Sequence, residues 1–268
     1  MKRVLAATAV GGLALATAFL GAASASAADT ATVYVVHGIP DTPVDVYVNG
    51  ERTLDDFQPE TVAGPLDLPA GSYKVDITAA DAADDSSPLL STTADLKGGD
   101  NVSLVANLDT SGNPTVNAFV NDVSSVGAGE SRVVVRHVAA APAVDVRAGG
   151  KVVLSDVTNP NEGSLTVPAG TVSADVTLAG TDTVVIGPAD LKLAEGTATF
   201  VHAVGSADKG TLGLVSFTVS GLHSAPGGVP AGTGPADNAW ALPLAGVVLV
   251  GGVALLLTSG RRLRADKS

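Results

Sequence analysis

The chain is predicted to be all-β, folded as two tandem β-sandwich domains. Three observations predict it: an internal duplication, short β-branched runs at sandwich spacing, and a near absence of helix signals between the termini. Val33 to Gly50, VYVVHGIPDTPVDVYVNG, aligns without a gap on Val133 to Gly150, VVVRHVAAAPAVDVRAGG, setting His37 over His137 and Val44-Asp45-Val46 over Val144-Asp145-Val146. Leu68-Pro69-Ala70-Gly71 then recurs as Val167-Pro168-Ala169-Gly170. A whole module of about ninety residues is therefore repeated.

Within the first copy, strands are expected near Thr32 to His37, Val44 to Val48, Arg52 to Leu54, Ala63 to Leu68, Tyr73 to Ala79, Leu89 to Leu96, Asn101 to Asn107 and Thr115 to Asp122. Pro, Gly, Asn and Asp punctuate them, as turns require. Alternation along the first strand puts Val33, Val35 and His37 on one face and Tyr34 and Val36 on the other. Arg136 takes the place of Val36 in the second copy, which marks that second face as outward. Asn49-Gly50 and Gly149-Gly150 are pairs that tolerate positive φ at both central positions of a type I′ hairpin. With 3% aromatic residues and no cysteine, each core is expected to be Val, Leu, Ala and Ile. Ser124 to Glu130 reads as a short linker between two separate units.

The termini carry address signals. Lys2 and Arg3, an apolar run to about Leu20 and a small-residue ending Ala25-Ser26-Ala27 make a secretory signal peptide, with the mature chain beginning at Ala28. Trp240 to Ser259 is about twenty residues without a charge, enough to cross a hydrocarbon core of about 30 Å. Arg261, Arg262, Arg264 and Lys267 follow it, which places the tail in the cytoplasm and the rest outside. The span and tail also resemble the rear of a sortase sorting signal in Gram-positive envelopes. The preceding Val229-Pro230-Ala231-Gly232-Thr233-Gly234 departs from L-P-x-T-G at two points, so a plain membrane anchor is expected ahead of attachment to the cell wall. The expected organisation is a signal peptide over 1–27, β-sandwich repeats over 28–126 and 127–222, a flexible stalk over 223–239, a transmembrane helix over 240–259 and a basic tail over 260–268.

Between Ala28 and Ala239 nine basic residues face twenty-six acidic ones, a balance that excludes nucleic acid and disfavours anionic lipid headgroups as partners. The first copy holds most of that charge: 15 acidic against 3 basic residues from Ala31 to Gly127, compared with 8 against 6 from Ser131 to Leu222. Without cysteine the chain has no disulfide, lipoprotein site or thiol chemistry.

The pattern V-x-V-V-H-x-x-P-x-x-P-V-D-V-Y-V-x-G at Val33 to Gly50, followed by L-P-A-G-x-Y-x-V at Leu68 to Val75, resembles the domain-of-unknown-function 4397 family of exported bacterial proteins, often found in tandem. The second copy keeps His137, Pro142, Val144-Asp145-Val146 and Pro168-Ala169-Gly170 but has Arg147 where Tyr is expected. The resemblance implies an immunoglobulin-like β-sandwich with no established activity, and it transfers no catalytic residues or cofactors.

His37 and His137 are the chief candidates for chemistry, each eight residues before an aspartate. No nucleophile accompanies both copies, and one histidine per module is too few for zinc. A structural histidine bonded to strand-crossover backbone is expected instead. His202 stands where the first copy has Val105 and reads as incidental. Asp81, Asp84 and Asp85 could gather oxygens for Ca²⁺, but their spacing fits no defined loop, and a solvated loop is expected. The function expected is non-enzymatic: a single-pass cell-surface protein with a structural, adhesive or binding role toward the cell wall or an extracellular protein or glycan. The alternative is a ligand or Ca²⁺ receptor that uses the acidic first repeat.

Overall fold

The computed structural model describes residues 29–223, which form part of one compact unit ending at Ala225. The expected signal peptide with its processing residues Ala25, Ala27 and Ala28, nearly all of the stalk, the transmembrane span and the tail lie outside the described residues. Among the described residues no helix is long and apolar enough to cross a membrane.

Sixteen strands are described, eight in each half. The first half contains β1 (Thr30–His37), β2 (Val44–Val48), β3 (Glu51–Phe57), β4 (Val62–Pro69), β5 (Gly71–Ala79), β6 (Leu90–Leu96), β7 (Asn101–Leu108) and β8 (Pro114–Val120). The second contains β9 (Glu130–His137), β10 (Val144–Ala148), β11 (Lys151–Val157), β12 (Glu162–Pro168), β13 (Gly170–Leu178), β14 (Val184–Leu193), β15 (Thr197–Val204) and β16 (Gly213–Ser220). Each half repeats one topology. Sheet β4-β1-β7-β8 faces β3-β2-β5-β6, as β12-β9-β15-β16 faces β11-β10-β13-β14. The central pairs β1 with β7 and β9 with β15 are parallel, and the other pairings are antiparallel. An immunoglobulin constant domain instead orders its strands ABED and CFG. The likeness to that fold lies in the two-sheet architecture, not in the strand order.

Local chemistry explains the strand ends. Asn49 and Gly50 take φ of 53° and 85°, and Gly149 and Gly150 take 55° and 77°, as the type I′ turns between β2 and β3 and between β10 and β11 demand. The first core joins Val33, Val44, Val46, Val75, Ile77, Leu96 and Leu104 between its two sheets. A cavity of about 70 Å³ remains there, lined by apolar side chains that include Val33, Leu66, Tyr73 and Ala94. Val133, Val135, Val146, Leu193 and Val201 form the counterpart in the second half.

The face assigned to water lies inside the molecule. Val36 and Val105 of the first half pack with Val138, Val204 and Val215 of the second, and Tyr34 stacks on Phe217 with ring centroids 4.2 Å apart. Arg136, expected on an outward face, is fully buried. The halves are thus not free beads. They share a seam made from the outer faces of β4-β1-β7-β8 and β12-β9-β15-β16.

Candidate functional site

His37 ends β1 and His137 ends β9, and each ring is buried beside the loop that follows it. Nε2 of His37 lies 2.8 Å from the Thr42 carbonyl, and Nδ1 lies 3.4 Å from the Ile39 amide. A carbonyl only accepts and an amide N–H only donates, so the ring is neutral and protonated on Nε2. His137 repeats this on Pro142 and Ala139, at 2.9 and 3.4 Å. Burial lowers the pKa of both imidazoles. They act as pins that tie a crossover loop to its strand.

The aspartates eight residues later serve other partners. Asp45 accepts from the Asp56 amide at 2.9 Å and from Arg52 at 3.3 Å. Asp145 accepts from the amides of Asp156 at 2.8 Å and Gly180 at 2.9 Å, which hold its carboxyl below the usual range. Asp56 and Asp156 adopt φ of 50° and 54°, the left-handed region that Asp tolerates better than most residues. In each copy the aspartate clamps the bulge at which the register shifts, between β2 and β3 or between β10 and β11, and the histidine and aspartate form no catalytic pair.

The loop holding Asp81, Asp84 and Asp85 lies against sheet β3-β2-β5-β6, where the Tyr47 hydroxyl donates to the Ala82 carbonyl at 3.4 Å. Asp84 accepts from the Ser86 amide at 2.9 Å, and Ser86 keeps its carboxyl below the usual range. Among the described residues no three His, Asp or Glu side chains gather in a way that could hold a metal ion. Arg147, the departure from Tyr, forms a forked ion pair with Asp175, which lies directly across from it, at 2.7 and 2.9 Å. The first copy sets Tyr47 opposite Asp76 and supplies the cation from Lys74, 2.8 Å away.

The densest polar cluster lies in the seam and centres on Arg136. Its guanidinium donates through Nε to Glu162 at 2.7 Å, through Nη1 to Nε2 of His202 at 3.2 Å and through Nη2 to Asn121 at 2.8 Å. Asn121 also accepts from Ser103 at 3.0 Å and donates to Asn101 at 2.6 Å. The guanidinium carbon stands 4.4 Å from the Phe119 ring centroid and 5.1 Å from that of Phe200. A buried cation needs such a set of acceptors and ring faces to replace water. Nδ1 of His202 donates to the Val215 carbonyl at 3.2 Å. Burial, then the Arg136 charge, push this imidazole down to about 3. Asn107 donates to the Val138 carbonyl at 3.2 Å, and Asn159 bridges the carbonyls of Leu108 and Ala139 at 2.8 and 2.7 Å, which ties the halves at the far end. Sequence reasoning passed over His202. The one signal available was that it and Arg136 replace two valines paired on one face.

Residues 31–147 match the family described as Domain of unknown function (DUF4397). These residues carry a domain of that family. The DUF4397 match covers β1 to β8 and continues through β9 into β10, ending at Arg147, so it holds both His-Asp pairs and the Arg136 end of the seam. No curated protein matches the chain.

Proposed function

We propose that this chain is a non-enzymatic cell-surface protein that is exported, held by one C-terminal membrane helix, and displays two tandem sandwich modules for a structural, adhesive or binding role outside the cell. The observation that carries the reading is the fate of the repeated polar residues. His37, His137, Asp45 and Asp145 are committed to local backbone and a neighbouring arginine, so the residues kept in both copies serve the scaffold. The charged, cysteine-free composition and the apolar span at Trp240 to Ser259 support display outside a membrane.

Mass spectrometry of C-terminal peptides from purified envelopes tests this. Peptides reaching beyond Trp240 in the membrane fraction are expected. A terminus at Thr233 joined to wall fragments replaces the membrane anchor by wall attachment, and recovery of the chain in the cytoplasm alone overturns the proposal.

A further inference from the structure

Val36 pairs with Val105 in the first half, and Arg136 pairs with His202 at the matching place in the second. The seam therefore carries a cation and an imidazole on one side and two valines on the other. Geometry sets the protonation of the imidazole. A guanidinium only donates, so Nε2 of His202 is an acceptor, and the Val215 carbonyl only accepts, so Nδ1 holds the single proton. The closed seam requires a neutral ring.

The charged and titratable groups around it are few. Arg136 on β9 touches it, and Glu162 on β12 bonds Nε of that arginine. Across the seam stands the Tyr34 phenol of β1, stacked on Phe217 of β16, which also lies 6.0 Å from the imidazole. Asn121, Ser103 and Asn101 add uncharged groups. Both hydrogen-bond positions of the ring are taken by Arg136 and Val215, so a second ring proton meets a guanidinium.

We propose that Arg136 and His202 form an acid-operated release, in which protonation of His202 sets two cations against each other in the seam and parts the two sandwiches while each stays folded. Parting exposes Tyr34, Phe119, Phe200 and Phe217 as an aromatic face. The sandwiches have largely separate interiors: the clusters around Val33 and Val133 share no residue, and Ala140 is the second-half side chain that packs against the first. In the parted state His202 faces water, where an imidazole titrates near 6.5, whereas the closed state takes the proton only at about 3. Between those limits each pH unit of acidification raises the open-to-closed ratio about tenfold.

The chain has no cysteine, so spin labels at Ser72→Cys and Ser173→Cys, exposed in opposite halves, report the distance between them in the full chain without interference. One short distance is expected at pH 7.5. From pH 6.5 to 4.5 a longer population should grow about fiftyfold relative to the short one, with the far-ultraviolet circular dichroism unchanged. His202→Gln keeps an acceptor for Arg136 and a donor for Val215 but cannot titrate, and its ratio should stay flat. A flat ratio in the labelled parent overturns the proposal, as does an equal rise in His202→Gln or loss of strand signal together with the separation. If the glutamine variant does not fold, the parent slope of one proton per opening decides.

Discussion

His37 and His137 each make two hydrogen bonds from a buried ring, and their removal is a test at the scale of one side chain. His137→Ala leaves the Pro142 carbonyl and Ala139 amide unpaired beside a hole, and should cost about 2–4 kcal/mol in urea unfolding, with little change for His137→Gln if its amide reaches both groups. The same rings set a pH dependence. Folded His37, His137 and His202 all bind a proton less readily than the unfolded chain, so the unfolded state gains protons first as pH falls below about 6.5. Stability should be full above that pH and decline as acid is added, by at most about 1.4 kcal/mol per pH unit for each histidine. Urea midpoints at pH 7.5, 6 and 5 check the sign; a midpoint that rises toward pH 5 contradicts it. Asp145 and Asp175 add a second loss only at lower pH, because their folded carboxyls lie below the ordinary range.

At the scale of strands and turns, the type I′ turn at Asn49-Gly50 holds Gly50 at φ 85°, so Gly50→Ala should destabilise by about 1 kcal/mol in thermal unfolding. Ala94 borders the cavity of about 70 Å³, and Ala94→Val should raise stability by about 0.5–1.5 kcal/mol, read from the same melts. Most strands were legible because period-two alternation survives wherever one face meets a core. The shortfall at β3 is instructive. Its expected end was Leu54, yet it runs to Phe57, and the register shifts between the pairs Val44 with Phe57 and Val46 with Leu54. The left-handed residue Asp56 makes a bulge that puts Leu54 and Phe57 on the same core three residues apart, a spacing that hides a strand from a two-residue pattern.

For the whole molecule the seam predicts that the halves depend on each other. A fragment of residues 29–126 uncovers Val36, Val105, Tyr34 and Phe119, and should unfold at lower temperature than residues 29–223 together and self-associate in analytical ultracentrifugation. A monomer as stable as the parent contradicts a stabilising seam. By itself the sequence determined that one all-strand module occurs twice, where its turns fall, and that His37 and His137 face inward, because local periodicity and turn chemistry act over a few residues. Tertiary structure alone decided that the face bearing Arg136 is buried. A charge in a strand ordinarily faces water, and the acceptors that reverse this come from Asn121, Glu162 and His202, which lie 15, 26 and 66 residues from Arg136. Nothing in a local pattern records that they converge, since Glu162 and His202 reach Arg136 through pairing of distant strands within β12-β9-β15-β16, and Asn121 reaches it only when the two sheets dock.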